Sequence, residues 1–520
     1  MTRQLLHADP AGVYVHDAVL NACRRHGAKT AIVDTSSAPA RRFTFAEYGE
    51  LLERLARGLV AAGLRPSEVI AIYLQNSWQF CLAYHAATLA GAIPTVLNPS
   101  YREREVRYQL ENSGAAFLVS DSRLQGMDLS SLPCLRRVYV VSGIGGHADF
   151  DDLLRPATLP LPSLAAPPET ALAALPYSSG TTGLPKGVML SHSNLVTNAY
   201  QFLAPGELAT FTANEVVLCF LPLYHIYGLN VILNPTLMIG ATLVLMPRFD
   251  VARCCELMVS EGATFLPLVP PAINALCQSA EHGVFPARHR VRYVKSGAAP
   301  LAPDLARRFT ELTGIPLRQG YGMTEAAPVT HLGFIEPNLY RPDSIGRPVA
   351  LTECRLIGEN GAEDAVQGEL VMRGPQFMLG YWHAPEATAQ ALRDGWYWSG
   401  DVACRDADEF YRIVDRRKEM IKYKGFAVAP AEIEAVLLEH PAVRDCGVVG
   451  RPDAAAGESP CAFVVLREGA AGSTLVEGEL CEYVGQRLTS YKQPREVRFV
   501  DTIPRNPSGK ILRRQLRDLL

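Results

Sequence analysis

At 520 residues the chain is too long for one small core and calls for two or more domains or subdomains. With 48% hydrophobic and 20% charged residues it is excluded from the disordered class and has the composition of a globular enzyme. Lys and Arg number 50 against 53 Asp and Glu, a net charge of −3 that gives no electrostatic case for a nucleic-acid partner.

Residues 43–64 (FTFAEYGELLERLARGLVAAGL) carry the apolar period of an amphipathic helix, with Thr44 as cap candidate and Gly63 as terminator. VIAIYL at 69–74 predicts a buried strand, FCLAYHAATLAG a helix and AIPTVLN the next strand. Residues 115–120 and 136–142 predict two further strands. Such alternation predicts an α/β fold, with mostly parallel sheets covered by helices. The Pro/Ala-rich stretch 155–170 is expected to cross the surface between subdomains.

From 216 to 247 there is no Asp, Glu, Lys or Arg, which is long enough to span a bilayer. Pro222, Gly228, Asn230, Asn234, Pro235 and Gly240 interrupt it. A buried strand–loop–helix–strand unit is the better reading, so no integral membrane segment is expected. After Asp415 the character changes to a charged loop, a helix from Pro430, the strand AFVVLREG and a basic tail. We expect a large domain at 1–415 and a small, mobile α/β domain at 416–520. The 12 cysteines form no C-x-x-C pair, as suits buried thiols in a reducing cytosol. The first residues lack the apolar core of a signal peptide, and LRDLL is not a peroxisomal tripeptide. A cytoplasmic location is expected.

Seven segments carry candidate chemistry. YSSGTTGLPKG at 177–187 joins close-approach glycines, hydroxyl donors and a lysine, as a phosphate loop would. It is not a Walker loop, because Pro185 precedes Lys186 and Gly187 follows it. An ordinary surface loop has the same composition. His225 follows a buried strand, where α/β folds place ligand contacts, although a satisfied core histidine reads alike. KSGAAPL and QGYGMTEAAPVTH each follow a strand-like run. The second offers an aromatic face, a hydroxyl and a carboxylate, suited to a purine, a phosphate and Mg²⁺; a turn with a helix cap is the plain alternative. DGWYWSGDVACRD places Asp401 after a tight turn, ready for a ribose diol. IVDRRKEMIKYKG reads by default as a solvated charged face, and Lys510 in PRNPSGK as an exposed lysine.

In this order, over nearly the whole chain, these segments resemble the adenylate-forming family of acyl-CoA synthetases, luciferases and adenylation domains. LPLYHIYGLN, SGAAPL, GYGMTEAAPV and KYKGFAVAPAE look most like its 4-coumarate–CoA ligase and medium-chain acyl-CoA ligase branch. The resemblance implies ATP, Mg²⁺ and coenzyme A, and an AMP-forming acid–thiol ligation through an acyl-adenylate. It assigns Ser178, Ser179, Gly180, Thr181, Thr182, Gly183 and Lys186 to the phosphate loop. Gly320, Tyr321 and Gly322 meet the adenine with Ala298 and Ala299. Thr324 faces the α-phosphate, Glu325 the metal, and Asp401 and Arg416 the ribose. Lys418 is the hinge; Lys510 serves the adenylation state, and Lys422, beside Gly425, serves the rotated one. His225, Tyr224, Val231, Ala327, Pro328 and Val329 border the acyl pocket.

Three positions depart from close relatives: Ala427 for glutamine, Ala298 for glycine and Ser399 for threonine. The first two bear on the acid and not on the reaction class. No Lys or Arg stands among Val231, Ala298, Pro328 and Val329, so the expected acid is a neutral aryl (cinnamate-like) or medium-chain one. Loading of a separate carrier protein, a luciferase-type oxidation and a silent nucleotide-binding regulator are the alternatives. The first lacks an appended carrier domain here and the second a luciferin signature. The third would not need both Lys422 and Lys510.

Overall fold

The computed structural model describes residues 12–142, 146–178, 184–203, 211–334, 336–358, 361–363, 365–423, 426–453, 456–467, 474–506 and 509–520. Two sheets form the centre. The larger has nine strands in the order Arg347–Pro348, Val329–Leu332, Leu317–Gly322, Tyr293–Ser296, Phe265–Leu268, Val216–Cys219, Thr242–Leu245, Thr30–Asp34 and Arg41–Thr44. Its six middle strands run parallel, and antiparallel pairs close both edges. The second is an all-parallel sheet of five strands, ordered Ile93–Val96, Val69–Tyr73, Phe117–Ser120, Arg137–Val140 and Ala148–Asp149. The inner strands Val69–Tyr73, Phe117–Ser120, Thr242–Leu245 and Phe265–Leu268 are short, largely apolar runs buried along their whole length, as parallel sheets under helices require.

The helix predicted from Phe43 begins two residues later, at Phe45–Ala61. Phe43 belongs instead to the edge strand Arg41–Thr44. The cause is local: Thr44 is the N-cap, its hydroxyl accepting from the Glu47 N–H while Glu47 accepts from the Thr44 N–H. The uncharged stretch is the expected buried unit. Strand Val216–Cys219 leads into a π-helical turn Gly228–Leu233, the helix Asn234–Met238 and strand Thr242–Leu245. Among the described residues no helix is long and apolar enough to cross a membrane.

Two smaller antiparallel sheets are built from residues 172–416. One pairs Lys186–Ser191 with Leu172–Ala174, Tyr177–Ser178 and Gly380–Tyr381. The other contains Trp396–Arg405 and Tyr411–Arg416. Beyond it, strands Ile421–Tyr423, Phe426–Val428, Val443–Asp453, Gly457–Leu466 and Glu496–Phe499 make a five-stranded sheet. Helices Pro430–Leu438 and Thr474–Gly485 pack with this sheet around a hydrophobic core of its own, with Ile433, Leu437, Val448 and Val464 at its centre. The basic tail is helical only over Arg513–Arg517.

Candidate active site

The parallel strands deliver the site at their carboxyl ends, where an α/β sheet presents its ligands. His225 follows Val216–Cys219, Ala298 and Ala299 follow Tyr293–Ser296, and Gly320, Tyr321 and Gly322 end the strand Leu317–Gly322. At Gly322 an added Cβ would lie 2.0 Å from the Pro328 carbonyl oxygen, so only glycine lets this strand double back against the following segment. Thr324 and Glu325 occupy the short 3-10 turn between the two.

Asp401 is 4% exposed and is the hub of the polar side. Its Oδ2 accepts from the Tyr321 hydroxyl, and its Oδ1 lies 3.1 Å from Arg416 Nε as an ion pair. That oxygen accepts no hydrogen bond among the described residues, which leaves it suited to a hydroxyl such as a ribose diol. Asp401 comes after the turn the sequence suggested, within the strand Trp396–Arg405, and pairs with Arg416 across the ladder. The turn lies earlier, where Asp394 and Gly395 adopt positive φ. Ser399 fixes the approach, accepting from the Asp401 N–H and donating to the Leu370 carbonyl, a role a threonine hydroxyl would also fill. Burial works against the charge of Arg416, but Asp401 beside it prevails and raises its pKa.

Glu325 is buried, and its Oε1 accepts from Ser178 at 3.1 Å and from the Tyr381 hydroxyl at 2.9 Å. The ring of Tyr381 also lies under Lys186, whose Nζ is 5.5 Å from its centroid. Phosphate-loop residue, metal candidate and Tyr381 thus form one group. Ser179, Gly180, Thr181, Thr182, Gly183 and Gly425 lie outside the described residues, as does the side chain of Ala427.

His225 accepts the Tyr227 N–H on Nδ1 at 3.2 Å, so its proton resides on Nε2. Burial pushes its pKa down to about 4, leaving a neutral ring with one N–H to donate. With Tyr224, Thr324, Tyr177, Asn98 and Gln109 it lines a narrow cavity of ≈ 40 Å³. Ala298 and Ala327 both adopt left-handed backbone, with φ of 69° and 63°. Ala327, Val329 and Val231 are all buried residues of the main core.

The two candidate lysines part company. Lys510 sits near Arg416, Glu419 and Asp401; burial first, then Arg416, lowers its pKa, opposed by the two carboxylates. Its loop rests on the N-terminus of the helix Pro270–Glu281, since a Cβ at Gly509 would be 3.1 Å from Pro271. Asn506 holds the loop by accepting the Lys510 N–H and donating its own N–H to the Lys510 carbonyl. Lys422 is exposed on the hairpin formed by Ile421–Tyr423 and Phe426–Val428, its backbone N–H donated to Glu458. Lys418 is exposed in the turn that links the two sheets.

Sequence reasoning missed Tyr381, Glu419 and Arg513. Tyr381 reaches the site only because Gly380–Tyr381 pairs with Lys186–Ser191, a contact with no local signal. Arg513 is buried between Glu434 and Glu419, pairing with both.

This fold and this grouping define the adenylate-forming enzymes. Residues 19–382 match the AMP-binding enzyme family and residues 432–510 the AMP-binding enzyme C-terminal domain, and the chain belongs to this family. It is 38% identical to 4-coumarate–CoA ligase 5 of Oryza sativa subsp. japonica, over 98% of this chain and 95% of that one. It is 40% identical to 4-coumarate–CoA ligase 1 of Narcissus pseudonarcissus, over 92% and 88%. Among solved structures it superposes on an anthranilate CoA ligase in complex with anthranoyl-AMP with a TM-score of 0.88, at 26% identity over 98% and 97% of the two chains. A benzoate CoA ligase from Burkholderia xenovorans LB400 gives 0.85, at 27% identity over 97% and 100%.

Proposed function

We infer that the protein is an AMP-forming carboxylic acid–CoA ligase that uses ATP, Mg²⁺ and coenzyme A. The observation that carries this is the convergence of Lys510, Asp401, Arg416 and Tyr321 at the carboxyl edge of the nine-stranded sheet. A carboxylate cannot exchange oxide for a thiol, so activation must come first. A carboxylate oxygen attacks the α-phosphorus of ATP, the bond to the β-phosphate oxygen breaks, and pyrophosphate departs. The CoA sulfur then attacks the acyl carbon, the bond to AMP breaks, and a thioester and AMP result.

The first step brings an anion to a polyanion, and Lys510 supplies a positive charge where negative charge develops. A donor so placed lowers a barrier by about 3 kcal/mol, on the order of a hundredfold in rate. Thr324 meets the α-phosphate, Lys186 and Ser178 the outer phosphates, and Asp401 and Arg416 the ribose. Glu325 would hold Mg²⁺, and the ion would offset phosphate charge as pyrophosphate leaves. His225 donates its Nε2–H at the mouth of the acyl pocket bordered by Tyr224, Val231, Ala298, Ala327, Pro328 and Val329.

The second step needs a different surface, and we assign it to a turn of residues 416–520 about Lys418 that brings Lys422 and Gly425 to residues 1–415. The acid is a neutral aryl acid, cinnamate-like ahead of medium-chain, because a second charge would be buried among apolar walls without a partner. The enzyme works in the cytoplasm. The test is acid-dependent pyrophosphate release over a panel of acids, with and without CoA. Cinnamate-like or C6–C10 acids should exceed dicarboxylates and amino acids by about a hundredfold in kcat/KM. Succinate or a charged amino acid as best substrate would overturn the assignment.

A further inference from the structure

The segment 327–329 is held from behind by two buried asparagines. Asn198 Nδ2 donates to the Val329 carbonyl at 2.7 Å, and the Val329 N–H donates to Asn198 Oδ1 at 2.9 Å. Asn230 Nδ2 donates to the Ala327 carbonyl at 2.6 Å and to the Leu195 carbonyl at 3.0 Å. Ala327 needs such support. At φ 63° an alanine is in a region disfavoured by about 1 kcal/mol, and it persists only where neighbours over-determine it.

Asn230 is itself held. Its Oδ1 accepts from Asn234 Nδ2 at 2.8 Å, one helical turn on. Asn234 Oδ1 lies 3.0 Å from His85 Nε2, and His85 Nδ1 lies 2.7 Å from the Tyr48 hydroxyl. An amide oxygen only accepts, so His85 must carry its proton on Nε2 and accept the Tyr48 hydroxyl's hydrogen bond on Nδ1. Every hydrogen bond therefore points one way, from Tyr48 through His85, Asn234 and Asn230 to Ala327. The four side chains are at most 1% exposed. Burial pushes His85 down to about 4, so the imidazole stays neutral and the direction is kept at working pH.

We propose that Tyr48, His85, Asn234 and Asn230 are one positioning relay that fixes the Ala327 wall of the acyl pocket and thereby sets which acid shapes the enzyme accepts. The relay rests on the reading that residues 327–329 border the acid. It joins the helices Phe45–Ala61 and Trp78–Leu89, which lie far along the chain from the chemistry, to one carbonyl at the site. A network satisfied at every link is stiff and specific, and loss of one donor releases the carbonyl at its end.

The test uses a pair of aryl acids that differ only in ring width, and reads the ratio of their kcat/KM values. A variant that merely unfolds part of the enzyme lowers both values and leaves the ratio unchanged. His85→Leu should shift the ratio toward the wider acid by about fivefold while the KM for ATP stays within about twofold. His85→Gln, whose amide still donates toward Asn234, should restore the parent ratio. Val231→Phe, in the pocket itself, is the control for the underlying reading. An unchanged ratio in His85→Leu with a shifted ratio in Val231→Phe overturns the relay and leaves the pocket standing. An unchanged ratio in Val231→Phe overturns the pocket and the relay with it. Should His85→Leu not fold, Tyr48→Phe takes its place, removing only the hydroxyl that sets the tautomer. A shift of about twofold in the same direction is then expected, and an unchanged ratio overturns the proposal.

Discussion

Lys510 and Lys422 belong to the same small sheet-and-helix unit, yet their surroundings have little in common. Lys510 is drawn against Asp401, Arg416 and Glu419, in a loop seated on Pro271. Lys422 stands in water on an exposed hairpin. Two lysines on one small unit, only one of them beside Asp401 and Arg416, suit a site used in two geometries. The difference also shows how each charge is tuned. The site around Lys510 opposes its charge by burial and by Arg416, and restores part of it through two carboxylates, whereas Lys422 keeps its solvent.

The largest effect is expected where the Lys510 face is anchored. Arg513 donates to the buried Glu434, to the half-buried Glu419 and to the Val448 carbonyl at 2.9 Å. Arg513→Leu strands two carboxylates and should destabilise the protein by about 3–5 kcal/mol, read by denaturant unfolding. A loss below about 1 kcal/mol would show that water reaches the pair and that the Lys510 face is as open as the Lys422 face.

Next comes pH. Because the Lys510 pKa is lowered, acyl-adenylate formation should fail as pH rises, at a pH below the range of an ordinary lysine. The profile of thioester formation from supplied acyl-AMP should lack that limb. A shared limb would erase the distinction between the two lysines.

His225→Ala should slow catalysis by about tenfold with ATP affinity and folding intact, since a neutral N–H donor at the acyl mouth is lost. With a pKa of about 4, His225 should put no acid limb near pH 6.5 in the profile of the parent enzyme. A fully active variant would return this residue to the core histidines.

The smallest effect concerns the junction. Asp415 accepts the Ala431 N–H of the helix Pro430–Leu438, and burial raises its pKa from 3.8 to about 6. A raised carboxyl pKa means the folded state holds the proton that the unfolded chain has lost, so stability falls as pH climbs from about 4 to 6. Asp415→Asn should flatten that stretch of the stability profile. An identical slope would remove Asp415 from the coupling between the two units.

The strands were legible in the sequence because parallel sheets demand continuous apolar runs, and VIAIYL, VVLCFLP and ATLVLM have no other soluble explanation. The Thr44 cap was legible and puts the helix start at Phe45, but the edge strand Arg41–Thr44 before it was not, because Phe43 fits an apolar stripe and an edge strand equally. At the site, short-range motifs pointed to Tyr321, Thr324, Glu325 and Asp401, and the structure brings Tyr321 against Asp401 and Ser178 against Glu325. What escaped depends on distant pairing. Tyr381 meets Glu325 only through its ladder with Met189 and Val188, and Arg513 meets Glu419 across 94 residues. The asparagine relay was invisible for the same reason: its members read as ordinary helix residues until four helical segments are packed together.

The central claim is that one half-reaction needs Lys510 and the other needs Lys422. It is tested by measuring both half-reactions in Lys510→Ala and Lys422→Ala: single-turnover pyrophosphate release with acid and ATP, and thioester formation from supplied acyl-AMP and CoA. Lys510→Ala should lose pyrophosphate release by about a hundredfold and keep thioester formation, while Lys422→Ala shows the reverse pattern more weakly. Equal losses in both half-reactions for both variants would contradict the alternating use of the two lysines.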